Sequence, residues 1–328
     1  MKKLLVTGGA GFIGSNYITK TLNEFKDYFI VNLDALTYAG NLNNLKTVKN
    51  HGRYLFEHGD IRDVDRIEQL FKEHDFDYVI NFAAESHVDR SIENPSDFLT
   101  TNILGTHNLL SVAKKYWSVS KQPNVKFKEG VKFIQISTDE VYGSLGKEGY
   151  FTEQSPIKPN SPYAASKASA DHLVWSYFHT YGFPMNITRC SNNYGPNQYP
   201  EKLIPLMIQK AKNNESLPVY GDGSNVRDWI HVEDHVDAIN LVLSKGKMGE
   251  VYNVGGNNEL TNLEIVKMIL DALEKPYELI NFVDDRLGHD YRYAIDASKI
   301  LDELGWKPKK LFSDFFPGLT NIEGSHVL

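Results

Sequence analysis

The sequence predicts an α/β fold, a doubly wound parallel sheet with helices on both faces, followed by a smaller lobe. Three features predict it. Short apolar runs alternate with longer amphipathic ones through the first 190 residues, and strands buried on both faces read as continuous apolar runs. The first apolar run stops at a glycine-rich turn, TGGAGFIG (7–14), which opens a helical pattern. After Asn193 prolines and glycines become more frequent and the apolar runs shorten.

The elements follow in order. KKLLVTG (2–8) is the first strand and 12–25 the first helix. YFIVNLD (28–34) is a second strand that ends in an acid. YLFEHGD (54–60) is a third, and the helix after it places Ile67, Leu70 and Phe71 on one face. DYVINFAAE (77–85) is a fourth strand, 98–116 a long helix, and VKFIQIST (131–138) a fifth strand. Pro162 suits the first turn of a helix over 163–181, and MNITRC (185–190) is a sixth strand. Residues 229–246 carry helical periodicity again and are expected to return to the first lobe. The chain therefore divides into 1–190 with a return segment 229–255, and a second lobe of 191–228 and 256–328.

With 328 residues, 41% of them hydrophobic, the chain can bury a large core. Its formal charge is 35 − 42 = −7 with no long run of one sign, which argues against a nucleic-acid surface. Cys190 is the only cysteine. That excludes an internal disulfide and a cysteine-rich metal site, and a reducing, cytoplasmic setting is expected. No apolar stretch approaches the length of a membrane helix, so no membrane partner and no metal are expected.

Gly8, Gly11 and Gly14 lie between a strand and a helix. Glycine there lets the backbone approach a pyrophosphate, and the helix offers free N–H groups and a positive dipole end. Asp34 closes the second strand twenty residues after Gly14. A carboxylate there accepts ribose hydroxyls of NAD and repels the extra phosphate of NADP. This is a Rossmann-type dinucleotide site, the alternative being a glycine turn in a nucleotide-free protein. Tyr163 and Lys167 stand at i, i+4 and share a helical face. A phenol, with a pKa of about 10, is a poor base at neutral pH, and a nearby ammonium is expected to lower that value. The alternative is a surface pair. STDEVYG (137–143) puts two acids at a strand end, an arrangement unfavourable for stability. The alternative is a solvated turn.

The fingerprint, the YxxxK helix and the length resemble the extended short-chain dehydrogenase/reductase family in its nucleotide-sugar branch. NFAAESHVDRSIENP (81–95), ISTDEVYG (136–143), SPYAASKASADHLV (161–174), SNNYGPNQYPEKLIPL (191–206), YGDGSNVRDWIHVEDH (220–235) and GHDYRYAID (288–296) are similar to the dTDP-glucose 4,6-dehydratases within it. The resemblance implies a tightly held NAD and dTDP-glucose as substrate. Tyr163, with Lys167, takes the C4 hydroxyl proton, and Thr138 hydrogen-bonds the C4 oxygen. Glu140 removes the C5 proton, and Asp139 protonates the departing C6 hydroxyl. Coupled neighbouring carboxylates supply one acid and one base. Cofactor contacts are implied at Gly8, Gly11, Phe12, Ile13, Gly14, Asp34, Leu36, Thr37, Asp60, Ile61, Phe82, Ala83, Ala84, Ser86, Thr101, Tyr163, Lys167 and Asn193. Substrate contacts are implied at Ser86, His87, Thr138, Asn192, Lys202, Leu203, Pro218, Tyr220, Arg227, Asn262, Arg286, His289 and Asp290. A homodimer through the helices at 98–116 and 163–181 is also implied.

The chain departs from the family in two places. Leu287 and Tyr291 stand where the family has proline and arginine, and the tail KKLFSDFFPGLTNIEGSHVL (309–328) lacks the usual amphipathic helix, which Pro317 would break. Rival functions are a CDP- or UDP-sugar dehydratase, a UDP-sugar C4 epimerase, and a non-catalytic NAD-binding protein. An epimerase needs no acid pair, and a non-catalytic protein needs neither that pair nor Tyr163.

Overall fold

A computed structural model describes residues 1–120 and 125–315. The elements are β1 (Lys2–Thr7), α1 (Phe12–Glu24), β2 (Tyr28–Asp34), β3 (Tyr54–His58), α2 (Val64–His74), β4 (Tyr78–Asn81), α3 (Val88–Glu93), α4 (Pro95–Phe98), α5 (Thr106–Trp117), β5 (Lys132–Thr138), α6 (Pro162–Tyr181), β6 (Met185–Cys190) and β7 (Asn192–Tyr194). There follow α7 (Leu203–Lys212), β8 (Leu217–Tyr220), β9 (Val226–His231), α8 (Val232–Lys245), β10 (Val251–Val254), β11 (Glu259–Thr261), α9 (Asn262–Ala272), β12 (Ile280–Val283) and α10 (Ser298–Leu304).

The main sheet has seven parallel strands in the order β10-β6-β5-β4-β1-β2-β3. Strand residues alternate between two cores, as the pleat requires. Leu4, Val6, Ile30, Ile80, Ile134 and Ile136 join the core under α1 and α8. Leu5, Val31, Leu33, Val79, Phe133 and Ile187 join the one under α2, α5 and α6. Burial on both faces explains why these strands read as unbroken apolar runs. The direction of winding reverses between β1 and β4, which opens a crevice at the strands' C-terminal ends.

Two glycines make that crevice possible. Gly8 has φ +69°, and a Cβ on it would stand 2.6 Å from the Ala83 nitrogen. A Cβ on Gly14 would stand 2.4 Å from the Gly8 carbonyl oxygen. Any side chain at either place would push the turn off the sheet.

A third core, with Tyr194, Ile204, Met207, Trp229, Ile265 and Ile269, lies under α7 and α9. It is bordered by the small sheets β11-β9-β7 and β12-β8. The later chain returns to the main sheet: α8 packs on α1, β10 extends the sheet beside β6, and Ile300 and Trp306 join the first core.

The structure alters several expected bounds. Strands predicted to run to Gly8, Asp60 and Glu85 stop at Thr7, His58 and Asn81, because their last residues bend out to form the crevice rim. The helix expected at 98–116 runs from Pro95 to Trp117 through a π-helical stretch, Leu99–Gly105. Residues 229–231 belong to β9, and the helical pattern begins at Val232. The expectation at Pro317 lies outside the described residues. Among the described residues no helix is long and apolar enough to cross a membrane, and no group of three or more His, Cys, Asp or Glu side chains is placed to hold a metal ion.

Candidate active site

A cavity of about 310 Å³ lies in the crevice. Its lining includes Gly8, Gly11, Phe12, Ile13, Gly14, Asp34, Thr37, Asp60, Ile61, Phe82, Ala83, Ala84, Ser86, Thr101, Thr138, Asp139, Glu140, Tyr163, Lys167, Asn192, Asn193 and Lys202. The α1 N-cap is Gly11, with no capping side chain and no acid in the first turn. The first N–H groups of that helix therefore face the cavity without an intrahelical partner. Asp34 is held by two backbone donors, Ala10 to Oδ2 and Leu36 to Oδ1, both at 2.8 Å. Burial raises its pKa, and the two N–H groups oppose the rise. A glycine cradle without side chains, an uncapped helix end and a fixed carboxylate fit the pyrophosphate and ribose of a dinucleotide.

Leu36 was also expected to contact the cofactor. It is absent from the cavity lining, has φ 49°, and acts through its N–H on Asp34 while its side chain packs on the first core. Replacing Asp34 by alanine would remove the expected ribose acceptor. The variant is expected to bind NAD roughly 10- to 100-fold more weakly and to discriminate less against NADP. Fluorescence titration with both dinucleotides checks this, and unchanged NAD affinity would remove Asp34 from the ribose site.

The expected catalytic acids sit where β5 ends. Thr138 is its last residue, followed by a 3₁₀ turn, Asp139–Tyr142. The Thr138 hydroxyl accepts from the Glu140 N–H and donates to Asp139 Oδ1, both at 3.3 Å. Asp139 is 1% exposed, and its Oδ2 is buried with no hydrogen-bond partner among the described residues. Burial, then the neighbouring Glu140 and Asp228, raise the Asp139 pKa well above the carboxylate range. Burial also raises that of Glu140, but three cations, Arg286, Arg227 and Lys202, oppose it. Both acids are shifted upward, but the environments differ in degree: Arg227 alone among cations opposes the rise at Asp139, whereas three cations oppose it at Glu140.

α6 begins at Pro162 with Ser161 as cap, and carries Tyr163 and Lys167 buried on one face. The Lys167 ammonium donates to the Ile136 carbonyl at 2.7 Å. The expectation that it lowers the phenol pKa is not met in this structure. Burial, with Glu140, Cys190 and Asp139 nearby, pushes Tyr163 well above the usual phenol range, while burial lowers Lys167. Desolvation and two carboxylates outweigh an ammonium that is directed at a backbone oxygen.

The remaining substrate candidates stand outside the cavity lining. Leu203 opens α7 and packs on the third core, Pro218 pairs with Asn281 between β8 and β12, and Asn262 begins α9. Tyr220 donates to Asp89 at 3.5 Å, and His87 lies 3.4 Å from Glu201. His289 contacts Asp285 at 2.6 Å. Asp290 accepts from Asn160 and Tyr293, so its carboxylate is already engaged. The Arg227 guanidinium bonds the carbonyls of Val226, Tyr291 and Asp290. Arg286 is different: its Nε is buried with no partner among the described residues.

Other residues at the site were missed. Tyr38 and Tyr199 line the cavity edge to face at 5.4 Å, with the Arg90 guanidinium 4.0 Å above Tyr38. Asn102, in the π-helical stretch, bonds both backbone groups of Glu85 and donates to Ser166 Oγ at 2.8 Å. Ser166 in turn bonds the Tyr163 carbonyl. Asn102 stands beside Thr100 and Thr101 in a helix that also carries Asn108, so its type alone gave no signal.

Removing hydride from an alcohol carbon requires that its O–H proton leave at the same place, and of the three phenols that line the cavity Tyr163 is the one that shares a buried helical face with Lys167. Fold and site together define an extended short-chain dehydrogenase/reductase. Comparison with known proteins makes this narrower. Residues 5–317 match the GDP-mannose 4,6 dehydratase family, and the chain belongs to it. It is 53% identical to the dTDP-glucose 4,6-dehydratase of Xanthomonas campestris pv. campestris (strain B100) over 95% of this chain and 90% of that one. Identity to the Haemophilus influenzae dTDP-glucose 4,6-dehydratase is also 53%, over 95% of each chain. A Bacillus anthracis dTDP-glucose 4,6-dehydratase crystallised with NAD superposes with a TM-score of 0.88 at 50% identity, covering 98% of this chain and 96% of that one. A UDP-glucose 4-epimerase from Thermotoga maritima superposes at 0.86 with 29% identity, covering 97% of each chain.

Proposed function

We propose that the protein is an NAD-dependent hydro-lyase that converts dTDP-glucose to dTDP-4-keto-6-deoxyglucose. The observation that carries this is the Asp139–Glu140 pair, with Asp139 buried and Glu140 half-buried, beside Tyr163 in one cavity, since an epimerase on the same fold expels no water. Bound NAD supplies an acceptor for the C4 hydride and returns that hydride to C6 in the same cycle.

The residues do the rest. Tyr163 takes the O4 proton as the C4–H bond breaks, and the Thr138 hydroxyl holds O4. The new ketone acidifies C5–H, which Glu140 removes. The electron pair forms the C5–C6 double bond, and the C6–O bond breaks as Asp139 gives its proton to the leaving oxygen, releasing water. Glu140 returns its proton to C5. Tyr163 then holds one extra proton and Asp139 lacks one, so exchange with solvent resets both groups. Lys202, Arg227 and Arg286, whose charges reach Glu140, form the cationic side that suits a diphosphate. We assign the lobe under α7 and α9 to the nucleoside.

Incubation with dTDP-, UDP- and CDP-glucose, with ultraviolet detection of the 4-keto sugar in alkali, tests the function. Product from dTDP-glucose alone is expected. Product from another nucleotide sugar only, or a C4 epimer without the keto sugar, overturns it.

We also infer a homodimer. Leu99, Leu104 and Trp175 are exposed on two helices packed together, the stretch from Pro95 to Trp117 and α6. Light scattering is expected to show twice the mass of one chain, and a monomer at micromolar concentration would sink this. We place the protein in the cytoplasm, on the strength of its single, buried cysteine.

A further inference from the structure

A buried polar cluster beneath the cavity takes no part in the steps above. Arg189 on β6 donates from Nε to Asp171 Oδ2 at 2.9 Å and from Nη1 to the Tyr142 hydroxyl at 3.0 Å. The Tyr142 hydroxyl donates onward to Asn253 Oδ1 at 2.8 Å. Asn253 faces Arg189 across the β10–β6 pairing, and its Nδ2 bonds the carbonyls of Phe151 and Asp296. The Tyr142 ring stacks on Phe151 with centroids 5.1 Å apart. No member of the Arg189–Asp171–Tyr142–Asn253 cluster is more than 2% exposed.

Its members come from both halves of the catalytic machinery. Tyr142 closes the 3₁₀ turn that Asp139 and Glu140 begin. Asp171 lies four residues beyond Lys167 and eight beyond Tyr163, on the same face of α6. Arg189 precedes Cys190, the strand partner of Thr138. One guanidinium therefore spans from the acid-bearing turn to the helix of the tyrosine and lysine. Its planar fork fixes direction as well as distance. A buried ion pair is weak evidence of a gain in stability, because desolvation offsets the attraction.

Val141 and Tyr142 pack the turn against Ala168 and Ile295, but it has few other hydrogen bonds. Its other bonds include Thr138 Oγ1 to Asp139 Oδ1 and Glu140 N–H to Thr138 Oγ1, both at 3.3 Å, Gly143 N–H to the Glu140 carbonyl at 3.2 Å, and Lys158 N–H to the Val141 carbonyl at 3.0 Å. All but the last are internal to the segment. We propose that the Arg189–Asp171–Tyr142–Asn253 cluster is a positioning device that sets Asp139 and Glu140 against Tyr163, so that elimination follows oxidation without movement of the sugar. This rests on the dehydratase function proposed above. Oxidation needs Thr138 and Tyr163, which β5 and α6 hold. Elimination needs the turn, so loosening the turn slows the second step more than the first.

Tyr142→Phe removes one hydroxyl and keeps the ring on Phe151. Wild-type protein is assayed first with dTDP-glucose. If it makes no keto sugar, the dehydratase function fails before the cluster is tested. The folded variant, at equal bound-NAD content, is expected to lose 10- to about 100-fold in kcat, with KM changed less than about twofold. Reduced dinucleotide should accumulate in its absorbance spectrum during turnover. Trp117→Phe, in the distant core under α2 and α5, serves as a control that lowers Tm without such accumulation. If Tyr142→Phe does not fold, Asp171→Asn keeps the shape and an acceptor for Arg189 and undergoes the same measurement. Accumulation with a kcat loss in either variant supports the proposal. Unchanged kcat in a folded variant, or oxidation and elimination falling together, overturns it.

Discussion

Replacing Tyr163 by phenylalanine is expected to abolish turnover, by up to about 10⁴-fold. The phenol is the only hydroxyl of α6 in the cavity lining. The ring itself packs edge to face on Phe98, with centroids 6.2 Å apart, so phenylalanine keeps the packing and loses only the proton acceptor. Oxidation is the first step, so no reduced dinucleotide, no solvent exchange at C5 and no keto sugar should form. Single-turnover absorbance with dTDP-glucose checks this. Near-normal turnover would remove Tyr163 as the base and, with it, the hydride-first mechanism.

Replacing Asp139 by asparagine should separate the steps. Thr138, Tyr163 and Lys167 remain, so oxidation proceeds and reduced dinucleotide builds up. Elimination lacks its acid and should slow by roughly 10²–10⁴-fold. Solvent exchange at C5 should persist, because it needs Glu140 and the ketone, whereas Glu140→Gln should suppress exchange. Stability gives an independent readout. Burial and Glu140 raise the folded-state pKa of Asp139 well above its unfolded value. Between the two values the unfolded chain releases a proton that the folded chain retains, so this group destabilises the fold as pH rises through that window. Asparagine has no such proton. The variant should therefore melt higher than wild type at neutral pH, and the difference should shrink as pH falls towards the ordinary carboxylate range. A merely structural acid pair predicts the reverse: lower Tm, with oxidation, exchange and elimination lost together.

What could be read from the sequence was what neighbouring residues dictate to one another. A strand buried on both faces is mostly apolar, so β1, β2, β4 and β5 stand out as runs, with buried polar exceptions such as Asn32 and Gln135, whereas β6 alternates Met185 and Ile187 with buried Asn186, Thr188 and Arg189. A close approach of backbone to phosphate demands glycine, so Gly8 to Gly14 announce the cradle, and Asp34 follows at a spacing set by one helix and one strand. Tyr163 and Lys167 are legible because i, i+4 defines a helical face. Bounds were least legible at the strand ends, where Phe82 to Ala84 remain as apolar as a strand but bend away to line the cavity.

Only the tertiary structure decided which side chains meet across distant segments and what charge each carries. The Asn102–Ser166 bond spans 64 residues, and the Arg189–Tyr142 bond 47. No local periodicity encodes either. The adjacency of Asp139 and Glu140 was plain in the chain, but the difference between them was not. It arises because the fold buries Asp139 with Arg227 alone among cations opposing the rise in its pKa, and turns Glu140 towards Arg286, Arg227 and Lys202, residues from three separate elements or loops. The sequence by itself determined the residue types and their local geometry. The fold decided burial and long-range electrostatics, and these set which acid holds its proton and where Lys167 points, because desolvation and charge–charge terms depend on distance in space and not along the chain.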